Sequence, residues 1–132
     1  MKKILVLLSF AIALFSSEGK MQVFKPLTST CPHSWYEEMN LVAKDVEIVT
    51  LRSVKAIKKD VGVPREIQSC NTSFLNDYVF EGNVPSQAIK DFLAKPVKNA
   101  IGLALPAYEN DKNPKTVFVI FENKTYKEYG KY

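Results

Sequence analysis

One histidine and two cysteines are all that 132 residues offer as imidazole and thiol donors. That scarcity excludes a closed four-cysteine zinc site and a triple-histidine catalytic one. Charge of one sign is also short. A net charge of +4 with scattered lysines leaves no concentrated basic stripe, and a nucleic-acid partner is not expected. Paired carboxylates, a phosphate-binding loop and a Ser/His/Asp set are missing as well. What remains is ordinary for a globular chain: 46% hydrophobic and 24% charged residues, enough for one domain.

The N-terminus has a pattern of its own. Met1-Lys2-Lys3 is followed by an apolar run from Ile4 to Phe15, broken only by Ser9, and then by Ser16-Ser17-Glu18-Gly19. This is the charged, apolar, small-polar order of a secretory signal peptide. Its apolar part is too short for a membrane span of ~20 residues. Residues 1–19 are therefore expected to be a signal peptide and 20–132 a single domain, periplasmic or secreted, with no stable membrane insertion after cleavage. Residues 20–132 carry 16 basic and 13 acidic side chains, a net +3, which weakens the case for nucleic acid further. Export also favours oxidation of thiol pairs that no metal or partner protects.

Along the mature chain, Gln22–Lys25 reads as a short strand closed by Pro26. A polar loop, Thr28–His33, carries Cys31. Ser34-Trp35-Tyr36-Glu37 fits a capping box, and Trp35, Met39 and Val42 follow at helical spacing. Val46–Leu51 reads as a strand. Val54, Ile57 and Val61 mark a second helix that Gly62 stops. Thr72–Leu75 and Tyr78–Glu81 form a hairpin across Asn76-Asp77. Pro85 sits as the first residue of a third helix that buries Ile89, Phe92 and Leu93. Lys95–Pro114 reads as a long loop. Thr116–Phe121 and Thr125–Tyr129 close the chain as a hairpin. The order predicts an α/β, thioredoxin-like fold: a small mixed β-sheet flanked by three helices, with a C-terminal β-hairpin.

In that fold the loop carrying Cys31 faces the segment Ile67-Gln68-Ser69-Cys70. Three readings of the cysteine pair stay open. One is a disulfide, which would stabilise by about 3–4 kcal/mol for a loop of about 40 residues. A second is a soft-metal site, Cu(I) being suited to two thiolates, with His33 as a third ligand. The third is two unrelated thiols. Cys31-Pro32-His33-Ser34 has the spacing of a redox motif with serine in the last place, so thiol-redox chemistry through Cys31 and Cys70 is an alternative.

Several short motifs, in order, resemble the small exported CopG-like proteins linked to bacterial copper resistance, a domain of unknown function with a thioredoxin-like fold. Gly62-Val63-Pro64 precedes Ser69-Cys70-Asn71-Thr72, where the family has Ser-Cys-His-Thr. Glu81-Gly82-Asn83-Val84-Pro85 stands for its Glu-Gly-His-Val-Pro, and Gly102-Leu103-Ala104-Leu105-Pro106 for its Gly-Leu-Ala-Val-Pro. The donors are thinned. A gapless register sets Ser29, Cys31 and Pro32 at the family's Cys-x-Cys-Cys. A gapped one puts Cys31 first and Ser34 third. Either way one cluster cysteine remains, Asn71 and Asn83 replace histidines, and the methionine-bearing stretch after Pro106 is lost. The resemblance implies a non-catalytic protein that binds or passes a soft metal such as Cu(I) with a reduced ligand set: Cys31, Cys70 and His33. Its expected partners are the metal ion and a periplasmic metal-handling or redox protein.

Overall fold

The structure, a computed structural model, describes residues 19–29 and 32–132. The signal-peptide reading of residues 1–18 and the site residue Cys31 lie outside the described residues. Strand β1 (Lys20–Pro26) leads to helix α1 (Ser34–Glu38), which continues as a 3-10 turn, Met39–Leu41, before β2 (Asp45–Leu51). Helix α2 (Lys55–Val61) and a 3-10 turn, Arg65–Ile67, precede the hairpin of β3 (Thr72–Leu75) and β4 (Tyr78–Glu81). Helix α3 (Ser86–Ala94), β5 (Ala100–Ala104), a 3-10 turn at Ala107–Glu109, β6 (Thr116–Phe121) and β7 (Tyr126–Lys131) complete the order. No helix among the described residues is long and apolar enough to cross a membrane.

The seven strands form one mixed sheet in the order β2-β1-β3-β4-β5-β6-β7. β1 runs parallel to β2 and β4 parallel to β5, each pair joined through a helix, and the other neighbours are antiparallel. Alternation along each strand divides the sheet into two faces. One face buries Met21, Val23, Leu75 and Phe80 against Trp35 and Met39 of the α1 region and against Ala88, Ile89 and Phe92 of α3. Phe92 anchors this core, its ring edge-on to Tyr78 at 4.9 Å, Phe80 at 6.2 Å and Tyr129 at 6.1 Å. A smaller cluster holds Val63, Ile67, Ala104 and Ile120.

Local chemistry explains the well-defined boundaries. Asn76 and Asp77 take φ of 51° and 70°, the positive values a two-residue hairpin turn demands and these side chains tolerate. Gly62 ends α2 at φ 88°, its N–H donating to the carbonyls of Lys58 and Lys59.

Three expectations from sequence are corrected. The sheet is larger than a small mixed one, because Ala100–Ala104 within the expected loop is the strand β5. Alanine and glycine make it a poor strand by propensity, but it lies between β4 and β6 and is pinned by both. The capping box does not form. His33 is already helical at φ −69° and ψ −23°, so Ser34 stands inside α1, and no side chain caps that end. Pro85 precedes α3 as its cap residue instead of opening the helix.

Gly102 is required by close approach. A Cβ there would lie 1.7 Å from the carbonyl oxygen of Val79, the residue paired with it on β4. Gly102→Ala is therefore expected to cost about 3 kcal/mol or more through forced displacement of β5. Denaturant unfolding of the two proteins measures it.

Candidate functional site

Cys70 lies between the Arg65–Ile67 turn and β3, and the backbone on both sides of it is fixed. The Ser69 N–H donates to Oε2 of Glu81 at 2.8 Å, and the Gly82 N–H donates to the Asn71 carbonyl at 2.8 Å. The half-buried Cys70 sulfur is engaged in a disulfide. The chain's only other cysteine is Cys31, outside the described residues. The Ser69 hydroxyl lies 3.7 Å from the Cys70 sulfur, and Oδ1 of Asn83 lies 3.9 Å from it.

Asn71 and Asn83, twelve residues apart in sequence, meet beside this sulfur. Nδ2 of Asn71 donates to Oδ1 of Asn83 at 3.1 Å. Asn71 is fully buried, and its Oδ1 has no hydrogen-bond partner among the described residues. Burial pushes the Tyr36 hydroxyl up from its ordinary pKa, and hydrogen bonds with the Asn71 and Ser29 side chains partly offset this. The two positions at which the sequence resemblance has histidines are thus one cluster, here filled by two neutral amides. His33, the third metal-site residue expected from sequence, is exposed at the start of α1 with its ring edge-on to Tyr36 at 5.7 Å. Among the described residues, no group of three His, Cys, Asp or Glu side chains is placed to hold a metal ion.

Cys70 and Asn83 line an open cavity of about 610 Å³. Trp35, Pro85 and Tyr132 give it apolar surface, and Glu38, Asp111 and Lys115 bring charge. These walls are held from behind. Trp35 Nε1 donates to the Val84 carbonyl at 2.8 Å. The Tyr132 hydroxyl donates to Asp91 at 2.8 Å, and burial with this carboxylate drives its pKa far up. Glu109 accepts from the Thr116 N–H at 2.7 Å and from Lys112 at 2.9 Å, which holds its carboxyl below the usual range and fixes the loop carrying Asp111 and Lys115.

Behind Cys70, on the face of the sheet opposite Phe80, sits a charged group that the sequence reading missed. Lys58 of α2 and Glu81 of β4 are buried, 5% and 0% exposed, and form an ion pair at 2.5 Å. Thr72 of β3 joins them. Its Oγ1 accepts from Lys58 at 2.8 Å and donates to Oε1 of Glu81 at 2.7 Å. Burial raises the Glu81 pKa, while the Lys58 charge and the hydrogen bonds from Lys58, Ser69 and Thr72 oppose that rise. A signal existed: Lys58 lies four residues after Val54 and three before Val61, on the stripe that also marks the helix.

Glu38 lines the cavity and also serves α3, accepting the Ser86 N–H at 2.8 Å. That amide is one of the helix's orphan donors. Glu38→Ala is expected to cost about 1 kcal/mol in urea unfolding, the usual loss for a capping side chain.

A family described as a protein of unknown function, DUF411, matches residues 67–109, the span from the Cys70 segment through β5 to Glu109. No curated protein matches the chain. Two solved structures share its fold. One, named copper resistance protein copG in form 2, superposes with a TM-score of 0.74 at 18% identity, covering 88% of this chain and 99% of that one. The other, form 1 of a protein of the same name, gives 0.69 at 17% identity, covering 88% and 98%.

Proposed function

We propose that the protein has a copper-related role outside the cytoplasm, holding one soft metal ion such as Cu(I) on the thiolates of Cys31 and Cys70. His33 serves as a third donor, and the disulfide is the oxidised, metal-free state. The observation that carries this reading is the place of Cys70. Its sulfur borders an open cavity, beside the Asn71–Asn83 pair, on a fold shared with proteins named for copper resistance. The leader-like residues 1–19 support a periplasmic or secreted location.

The donor set limits what is held. Cu(I) favours thiolate, thioether and imidazole, and the two amides at Asn71 and Asn83 are poor donors for it. One ion between two thiolates fits these residues; a thiolate-bridged cluster of several ions does not. The role is therefore binding or passing an ion, without catalysis. The arrangement of the first seven elements supports the thioredoxin-like reading of the fold. Parallel β1 and β2 sit beside the β3–β4 hairpin in the order β2-β1-β3-β4, and β5–β7 extend that sheet.

A second reading rests on the Cys70 disulfide itself. Reversible Cys31–Cys70 chemistry with a periplasmic redox or metal-handling partner makes the same residues a thiol-redox pair. An inert disulfide makes the protein a stabilised binding module without metal. Alkylation rates of the reduced thiols against pH separate these, since only the redox pair needs a thiolate present near neutral pH.

Anaerobic titration of the reduced full chain with Cu(I) against a competing chelator is expected to give one bound equivalent. The oxidised chain and the Cys31→Ser, Cys70→Ser variant are expected to bind none. Absence of binding by the reduced chain, or binding unchanged in the double variant, overturns the metal reading. Restoring imidazole at both amide positions, Asn71→His with Asn83→His, is expected to tighten Cu(I) binding by about tenfold or more, ~1.4 kcal/mol.

A further inference from the structure

A buried ion pair is weak support for stability, because well-packed apolar side chains of similar volume often replace one at no loss. Lys58 and Glu81 therefore need another reason to be there. Glu81 is the only side chain among the described residues that accepts the Ser69 N–H. Its Oε2 takes Ser69 and Lys58, and its Oε1 takes Thr72. The next residue, Gly82, holds the other side of the cysteine by donating to the Asn71 carbonyl. Two consecutive residues, at the end of β4 and just past it, thus pin the chain on both sides of Cys70. Space there is tight. At φ +78°, a Cβ on Gly82 would lie 2.4 Å from the Leu105 carbonyl oxygen and 2.7 Å from the Ser69 Cβ. An apolar side chain at position 81 would fill the volume but leave the Ser69 N–H without its acceptor.

We propose that Lys58 and Glu81 are positioning residues for Cys70: Glu81 tethers its backbone through Ser69, and Lys58 holds the carboxylate in reach. This rests on the reading of Cys31 and Cys70 as the disulfide partners. The tether keeps the Cys70 thiol, once reduced, where the disulfide needs it. It raises the effective concentration of one thiol at the other and so favours closure.

The full chain equilibrated in glutathione redox buffers tests this. Two protein thiols give two electrons and two protons to one glutathione disulfide, forming the protein disulfide and two glutathione thiols. Lys58→Met with Glu81→Leu removes the tether without leaving a charge buried alone. The equilibrium constant for closure is expected to fall about five- to tenfold, and the Ser69 amide to exchange faster with deuterium. Glu81→Asp keeps the charge opposite Lys58 but draws the carboxylate back from Ser69. It is expected to move the constant in the same direction and carries the test if the double variant does not fold. Ile89→Val, a core change on α3 against the opposite face of the sheet, is expected to leave the constant unaltered. A constant within a factor of two of the parent in folded variants overturns the tether alone. A parent chain with no reversible disulfide overturns both the tether and the cysteine pairing on which it rests.

Discussion

A carboxylate in a protein interior must be satisfied or it gives up its charge, and Glu81 organises its surroundings to meet that demand. Lysine from α2, threonine from β3 and a backbone N–H from the Cys70 segment converge on its two oxygens. Its own carbonyl accepts the Leu105 N–H just beyond β5. One residue thus ties together a helix on one face of the sheet, the central hairpin, the strand pair beyond it and the cysteine loop. Removing either charged partner alone would strand the other in a dry site, so the pair behaves as a unit.

The two faces of the sheet do different work. The Phe92 side is apolar and thick, with α1 and α3 burying aromatic and branched side chains, and it supplies most of the hydrophobic driving force. The Lys58 side is thinner, covered by the seven-residue α2, and spends part of its interior on polar groups. The cavity opens where the α1 start, the Cys70 segment and the loop after β5 meet. The polar network thus sits on one face of the sheet and the larger apolar core on the other.

How much of this was legible in the sequence depended on how local the cause was. The hairpin at Thr72–Glu81 and the strand Thr116–Phe121 follow from alternation and turn residues, and their observed bounds match the expected ones. β5 was not legible because alanine and glycine carry no strand signal; only neighbours on both sides make Ala100–Ala104 extended. The capping box at Ser34 failed for a similar reason, since the chain entering from His33 is already helical and leaves Ser34 no capping geometry. For the site, the motif around Cys70 marks a segment that the structure sets at the edge of the cavity. The Lys58–Glu81 pair stayed hidden, because a lysine in a short helix reads as solvated until a buried carboxylate is found beneath it.

The amide pair shows why the two departures from the histidine pattern belong together. Asn71, buried, and Asn83, half-buried at the cavity wall, bond to each other beside Cys70, so each side chain sets the hydrogen-bonding demand on the other. An asparagine facing a histidine there would have to share a buried site with a ring that gains a proton near neutral pH or seeks a metal. Two amides avoid both outcomes: one donates, the other accepts, and neither titrates. A cost of the arrangement is the Asn71 Oδ1, which is buried without a partner among the described residues. The two amides bond to each other, and the sulfur of Cys70 beside them is held in a disulfide. Amides are poor donors for a soft metal, so this pair satisfies itself by hydrogen bonding and needs no ion to complete it.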